Sequence, residues 1–178
     1  MREYVKTVVI PQVEILKAQE LVLKNFNKEV AFILLKKDTN KNWKTVSIDL
    51  IQELNQISHV NWWNWYEIST NEVSEITSTL KLHPAGEAHS HLQHHLDEFS
   101  WHDLARIDYM KNLWGNQVNL LFKINDNWRV NIQAINNLKE KVQINIIDTE
   151  WKILKIIDAN FGDGGKIIPP HGFWNPYS

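Results

Sequence analysis

Apolar and β-branched residues crowd positions 4–10, which predicts a strand, and Pro11 suits the first position of a helix running to about Asn25. Val13, Leu16, Ala18, Leu21, Val22 and Phe26 form the expected buried side of that helix. Residues 29–36 are almost continuously apolar after Glu29, as a central strand buried on both faces would be. A polar run at 37–42 predicts a turn, and beyond it Val46, Ile48 and Leu50 alternate with polar neighbours as in a half-exposed strand. Trp62, Trp63, Trp65 and Tyr66 are the most aromatic segment, either filling core or offering a platform to a peptide or protein partner. Residues 71–82 suit a helix capped by Asn71, or a strand through Ile76, Leu80 and Leu82; we read a helix followed by a strand across 86–91. Leu104, Ile107, Tyr109 and Met110 extend a helix to about Leu113, stopped at Trp114-Gly115-Asn116. Strands at 118–124 and 128–135 are joined at Asn125-Asp126-Asn127 as a hairpin, and 142–147 is another strand. Trp151, Ile153, Leu154, Ile156 and Ile157 predict a last helix ending near Asn160, followed by a loop-like tail with glycines at 162, 164 and 165 and Pro169-Pro170.

Helical and extended periods interleave along the chain, so the expected class is α/β: a mixed curved sheet flanked by helices. A length of 178 residues suits one compact domain, 1–178, and 43% hydrophobic with 22% charged residues is an ordinary globular balance. A net charge of −2 offers no general attraction to nucleic acid. The tail glycines do not follow a strand and open a helix, which argues against a phosphate loop. Absence of cysteine removes disulfides and thiol chemistry and fits a reducing compartment. No segment is apolar for long enough to cross a membrane, and residues 1–10 lack the pattern of a signal peptide, so the expected location is cytoplasmic.

Metal-capable side chains concentrate between Glu87 and Asp103. If His89 and His91 end a strand, the two-residue repeat puts both imidazoles on one face, near enough to share an ion, while Ser90 points the other way. After eight intervening residues comes Ser100-Trp101-His102-Asp103, whose i, i+3 spacing brings Ser100 and Asp103 to one side of a helix. At a helix start Ser-x-x-Asp is also a capping box, a role that leaves the aspartate able to ligate. Two histidines and a carboxylate make a three-ligand set, which suits a catalytic zinc with its fourth position open to water; a structural zinc is closed by four ligands, usually with cysteine. His94, His95 and His102 are expected to be solvated or to support the ligands indirectly.

The ordered set Gly86-Glu87-Ala88-His89-Ser90-His91 followed by Ser100-Trp101-His102-Asp103 resembles the JAMM signature of the JAB/MPN/Mov34 metallopeptidases. Leu92 stands where that family usually has proline, Ala88 where a larger residue is common, and the loop is about one residue longer than usual. The resemblance covers a core of about 1–135, leaving 136–178 as a C-terminal strand, helix and loop extension. It implies an MPN/JAB-like fold with a cytidine-deaminase-like core and one zinc ion on His89, His91 and Asp103. It further implies Glu29, just before a short apolar strand, as the residue that activates water, and Ser100 as the donor to the oxyanion or the attacking water. Glu87 is the rival base, because an i, i+2 neighbour of His89 also points inward. The implied substrate is a peptide or isopeptide bond at the C-terminal tail of a ubiquitin-like protein. The alternatives are a non-catalytic MPN-type scaffold that binds partners and a histidine-rich metal-binding protein of unrelated fold.

Overall fold

The computed structural model describes residues 4–37, 44–55, 57–60, 65–94, 98–114 and 117–158. In chain order the elements are β1 (Thr7–Pro11), α1 (Gln12–Lys24), β2 (Ala31–Lys36), β3 (Thr45–Ser47), β4 (Leu50–Glu53), β5 (Ile57–Val60), β6 (Trp65–Ile68), α2 (Thr70–Leu80), β7 (His83–His91), α3 (Trp101–Trp114), β8 (Val118–Ile124), β9 (Val130–Asn136), β10 (Gln143–Ile147) and β11 (Ile153–Ile157). This is a mixed α/β architecture. Trp62, Trp63, His95 and the tail glycines and prolines lie outside the described residues.

The strands form two mixed sheets, in the orders β11-β10-β1-β3 and β4-β2-β7-β8-β9, with a small β5-β6 ribbon. A single curved sheet was the expectation; the difference arises where the chain changes partners. The stretch read as one strand through Val46, Ile48 and Leu50 is two, because Ile48 N–H donates to Val9 O of the first sheet while Asp49 N–H donates to Leu35 O of the second. On the far side Val142 N–H donates to Ala134 O, and Ile135 bridges Lys141. The sheets are therefore joined both between β3 and β4 and where β9 meets the start of β10.

Between them lies the main core, into which α1 contributes Ile15, Ala18 and Val22, facing Phe32 and Leu34 of β2, Leu120 and Phe122 of β8, and Ile144 and Ile146 of β10. The helix starts one residue later than predicted. Pro11 stays extended at the end of β1, with ψ of 135°, as the N-cap of α1. Its buried side is also rotated from the expected one: Val13 and Phe26 are exposed, whereas Glu14 and Gln19 are buried. Both buried polar groups are satisfied, Gln19 Nε2 donating to Val130 O at 3.0 Å and Glu14 Oε2 accepting from Ile51 N–H at 3.0 Å. Hydrogen-bond partners thus favour Glu14 and Gln19 over apolar neighbours at those positions.

Two other expectations fail locally. Ser69, not Asn71, caps α2, its hydroxyl accepting from Glu72 N–H at 3.3 Å. The helix predicted from Trp151 is instead the strand β11, antiparallel to β10. Asp148 makes the reversal: its Oδ1 accepts from Glu150 N–H and Lys152 N–H, and Trp151 turns the chain at a φ of 65°. Pairing covers an edge of β10 that a helix would leave bare.

The second sheet positions the candidate site residues. β7 and β8 are parallel neighbours, so the chain must cross over between them, and α3 is that crossover. Alternation along β7 divides its side chains: Ala88 joins the main core, while Glu87, His89 and His91 share the opposite face. That face is the one on which Ala31, Ile33 and Leu35 of β2 pack with Val73 of α2, since Ile33 pairs with Glu87 and Ala31 with His89.

Candidate metal centre

His89 and His91 occupy the last three residues of β7, and Asp103 lies in the first turn of α3, so the carboxyl end of a strand meets the start of its crossover helix. Crevices at strand carboxyl ends are where ligands bind in open α/β sheets. His89 Nε2 and His91 Nε2 stand 3.1 Å apart; Asp103 Oδ1 is 3.2 Å from the first and Asp103 Oδ2 3.3 Å from the second. Both histidines are about 95% buried, at 4% and 5% relative exposure. A zinc ion bound at 2.0–2.1 Å in tetrahedral geometry would separate its donors by roughly 3.3–3.4 Å. Two imidazole nitrogens and a carboxylate converging at such spacing form a group that can hold one metal ion.

Ser100 fixes the carboxylate. Its N–H and hydroxyl both donate to Asp103 Oδ2, at 2.6 and 2.7 Å, and its oxygen accepts Asp103 N–H at 3.2 Å. The capping contacts of Ser-x-x-Asp therefore leave the Asp103 carboxylate turned toward both histidines. Burial alone would raise the Asp103 carboxyl, but the positive charge of His89 and hydrogen bonds from His89, His91 and Ser100 hold it well below the usual carboxylate range. It is an anion wherever the fold persists near neutrality. Phe99 lies edge-on to His89, its ring centroid 5.9 Å away, and contributes an apolar wall.

Glu29 is partly buried, two residues before β2. Val30 N–H donates to Ser90 Oγ at 2.8 Å, and Ser90 N–H donates to Val30 O at 2.9 Å, tying this end of the chain to the histidine segment. Ala31, the first residue of β2, is the register partner of His89, and Glu29 stands just outside the strand at that end. Its carboxylate is not part of the three-residue group. Glu87 is engaged elsewhere: Arg106 of α3 donates from Nε to its Oε2 at 3.0 Å and from Nη2 to its Oε1 at 3.4 Å. Burial raises the Glu87 carboxyl, while the Arg106 charge and hydrogen bond and the charge of His89 pull it back. His94 is exposed, and His102 stacks on Trp101 with centroids 3.5 Å apart; neither joins the group.

Two residues of this neighbourhood were not singled out from sequence. Arg106 is one, and its signal was the i, i+3 spacing from Asp103. Lys123 is the other, a lone charge in the apolar run of β8, only 3% exposed and the register partner of His91. Its ammonium donates to Leu92 O at 2.6 Å and Gln93 O at 2.9 Å, pinning the chain where it leaves His91.

Among the described residues no helix is long and apolar enough to cross a membrane. No protein-family model matches the sequence, and no curated protein matches it. The fold is similar to the solution structure of protein DSY2949 from Desulfitobacterium hafniense, with a TM-score of 0.53 and 11% identity, over 79% of this chain and 93% of that one. At that identity the likeness concerns the arrangement of helices and strands alone.

Proposed function

We propose that the chain is a zinc-dependent peptidase of the JAMM type, hydrolysing a peptide or isopeptide bond at the C-terminal tail of a ubiquitin-like protein. The observation that carries this reading is the meeting of His89 Nε2, His91 Nε2 and the Asp103 carboxylate at 3.1–3.3 Å. A set of three donors with nitrogen and oxygen atoms suits zinc and leaves one tetrahedral position for a reactant. When bound, zinc supplies Lewis acidity, polarising a carbonyl and making water a better nucleophile near neutral pH.

The protein's own groups divide the remaining work. His89, His91 and Asp103 would hold the ion, and Ser100, expected to donate to the oxyanion or the attacking water, instead gives its hydroxyl proton and its N–H to Asp103 Oδ2 and so orients that carboxylate. Glu29, just ahead of β2, takes a proton from water as the water oxygen bonds to the scissile carbonyl carbon, then gives a proton to the nitrogen as the C–N bond breaks. The resemblance assigns the base to Glu29, and Glu87, the rival, is engaged by Arg106 in a bidentate pair. An extended tail is the substrate that the resemblance implies, and β7 is paired on both sides at His89, so such a tail would approach from the end of the strand. A chain without cysteine also suits the cytoplasm, where ubiquitin-like proteins are handled.

The test is cleavage of ubiquitin-like proteins carrying either a C-terminal extension or an isopeptide-linked lysine, by the zinc-loaded protein. Chelator-sensitive cleavage after the tail, absent in a Glu29→Gln variant that retains zinc, is the expected result. A protein that binds one zinc ion and cleaves nothing in a broad panel would instead be an MPN-type scaffold.

A further inference from the structure

The residues that ligate are only part of what joins β7 to α3. Along β7, Glu87, His89 and His91 alternate onto one face. Along α3, Asp103 and Arg106 are three residues apart and share a side. The two rows meet in opposite order, Asp103 with His89 and His91, and Arg106 with Glu87. Three helical residues advance roughly 4.5 Å and two strand residues roughly 6.6 Å, so the contacts are separated along both elements by comparable distances.

We infer that the Glu87–Arg106 ion pair is a strut that presents Asp103 to the two histidines, making Glu87 and Arg106 positioning residues of the metal centre. This rests on the reading that His89, His91 and Asp103 hold a metal ion. One contact between a helix and a strand leaves the helix free to pivot about it, whereas two contacts on one side fix its direction. Ile107 and Met110 bury the next turn of α3, at 4% and 3% exposure, but apolar contacts tolerate sliding that a fork of two hydrogen bonds does not. The pair is enclosed, with the Glu87 side chain 5% exposed and that of Arg106 14%. Its place beside the histidines also sets the local charge: Arg106 neutralises Glu87, so a cation arriving at His89 meets the charge of Asp103 rather than two separate acids. Glu87 thereby acts through α3 and not on a reactant.

The test compares three proteins: wild type, the neutral double variant Glu87→Gln/Arg106→Met, and Arg106→Lys. Removing both charges together avoids leaving one buried and unpaired. Zinc affinity is read by competition with a chromophoric chelator, and coordination by the visible spectrum of the cobalt-substituted protein. The double variant is expected to melt cooperatively, bind zinc about 10–100-fold more weakly and show an altered cobalt spectrum. Arg106→Lys, which keeps the charge and loses the fork, is expected to fall between the two. Wild-type affinity and spectrum in the double variant would overturn the strut and leave the metal reading intact. Should the double variant not fold, wild-type affinity in Arg106→Lys has the same force. A wild-type protein that binds neither zinc nor cobalt overturns both.

Discussion

A single methyl group placed at Gly86 tests the framework on which the candidate site is built. Gly86 lies in β7 opposite Val118 of the parallel strand β8, three residues before His89. A Cβ there would overlap the carbonyl oxygen of Val118 and lie 2.8 Å from its carbonyl carbon. Both obstacles are backbone, so no rotamer change relieves them. Adjacent strands sit roughly 4.8 Å apart, and β7 and β8 would have to separate locally. Overpacking costs about 1–3 kcal/mol. Losing one or two ladder hydrogen bonds adds about 0.5–1.5 kcal/mol each. Gly86→Ala is therefore expected to destabilise by about 1.5–6 kcal/mol, a large share of an ordinary stability of roughly 5–15 kcal/mol. At about 2–4 °C per kcal/mol, Tm should fall by roughly 3–24 °C. Because Gly86 is on the strand that ends in both histidines, metal affinity should drop in the same variant. Thermal melts of metal-free Gly86→Ala and wild type provide the assay. A Tm within two degrees of wild type, on the order of the effect of a neutral surface change, would refute the close approach of β7 to β8.

Lys123→Met removes the donor to Leu92 O and Gln93 O and is expected to cost about 1.5–3 kcal/mol in chemical denaturation, whereas a cost under about 0.5 kcal/mol would mean these bonds do not pin the exit from β7. The Asp103 carboxyl is held below its ordinary range in the folded protein, so its stabilising effect is present above about pH 4 and is lost as pH falls below that value. The stability difference between metal-free wild type and Asp103→Asn should accordingly shrink in acid; a difference independent of pH would contradict the contacts with His89, His91 and Ser100.

Long, strongly patterned segments were legible in the sequence. The apolar run of β2, the hairpin of β8 and β9, and the helix beginning after Ser100 were read close to where they lie, because period and turn chemistry agree there. Trp151, Ile153, Leu154, Ile156 and Ile157 satisfy both helical and extended patterns; the side chain of Asp148 and the open edge of β10 decide between them, and the second is a tertiary fact. The division of 46–50 between two sheets is likewise invisible in an alternation that continues across the break. At the candidate metal site, the ordered combination of His-x-His and Ser-x-x-Asp, with the resemblance it carries, indicated His89, His91 and Asp103, and the structure brings these three together. Arg106 and Lys123 escaped because a charged residue facing inward looks, in sequence, like one facing water. Glu87 was weighed as a base from strand parity, and only the helix crossing β7 reveals that its carboxylate is held by Arg106.

The most direct test of the metal centre is zinc content and affinity measured on the wild-type protein and on His89→Ala, His91→Ala and Asp103→Ala, each checked for a cooperative melt. One zinc ion per wild-type chain, removable by chelator and lost in all three folded variants, is the predicted result. Full zinc occupancy in the three variants, or none in the wild type, would contradict it.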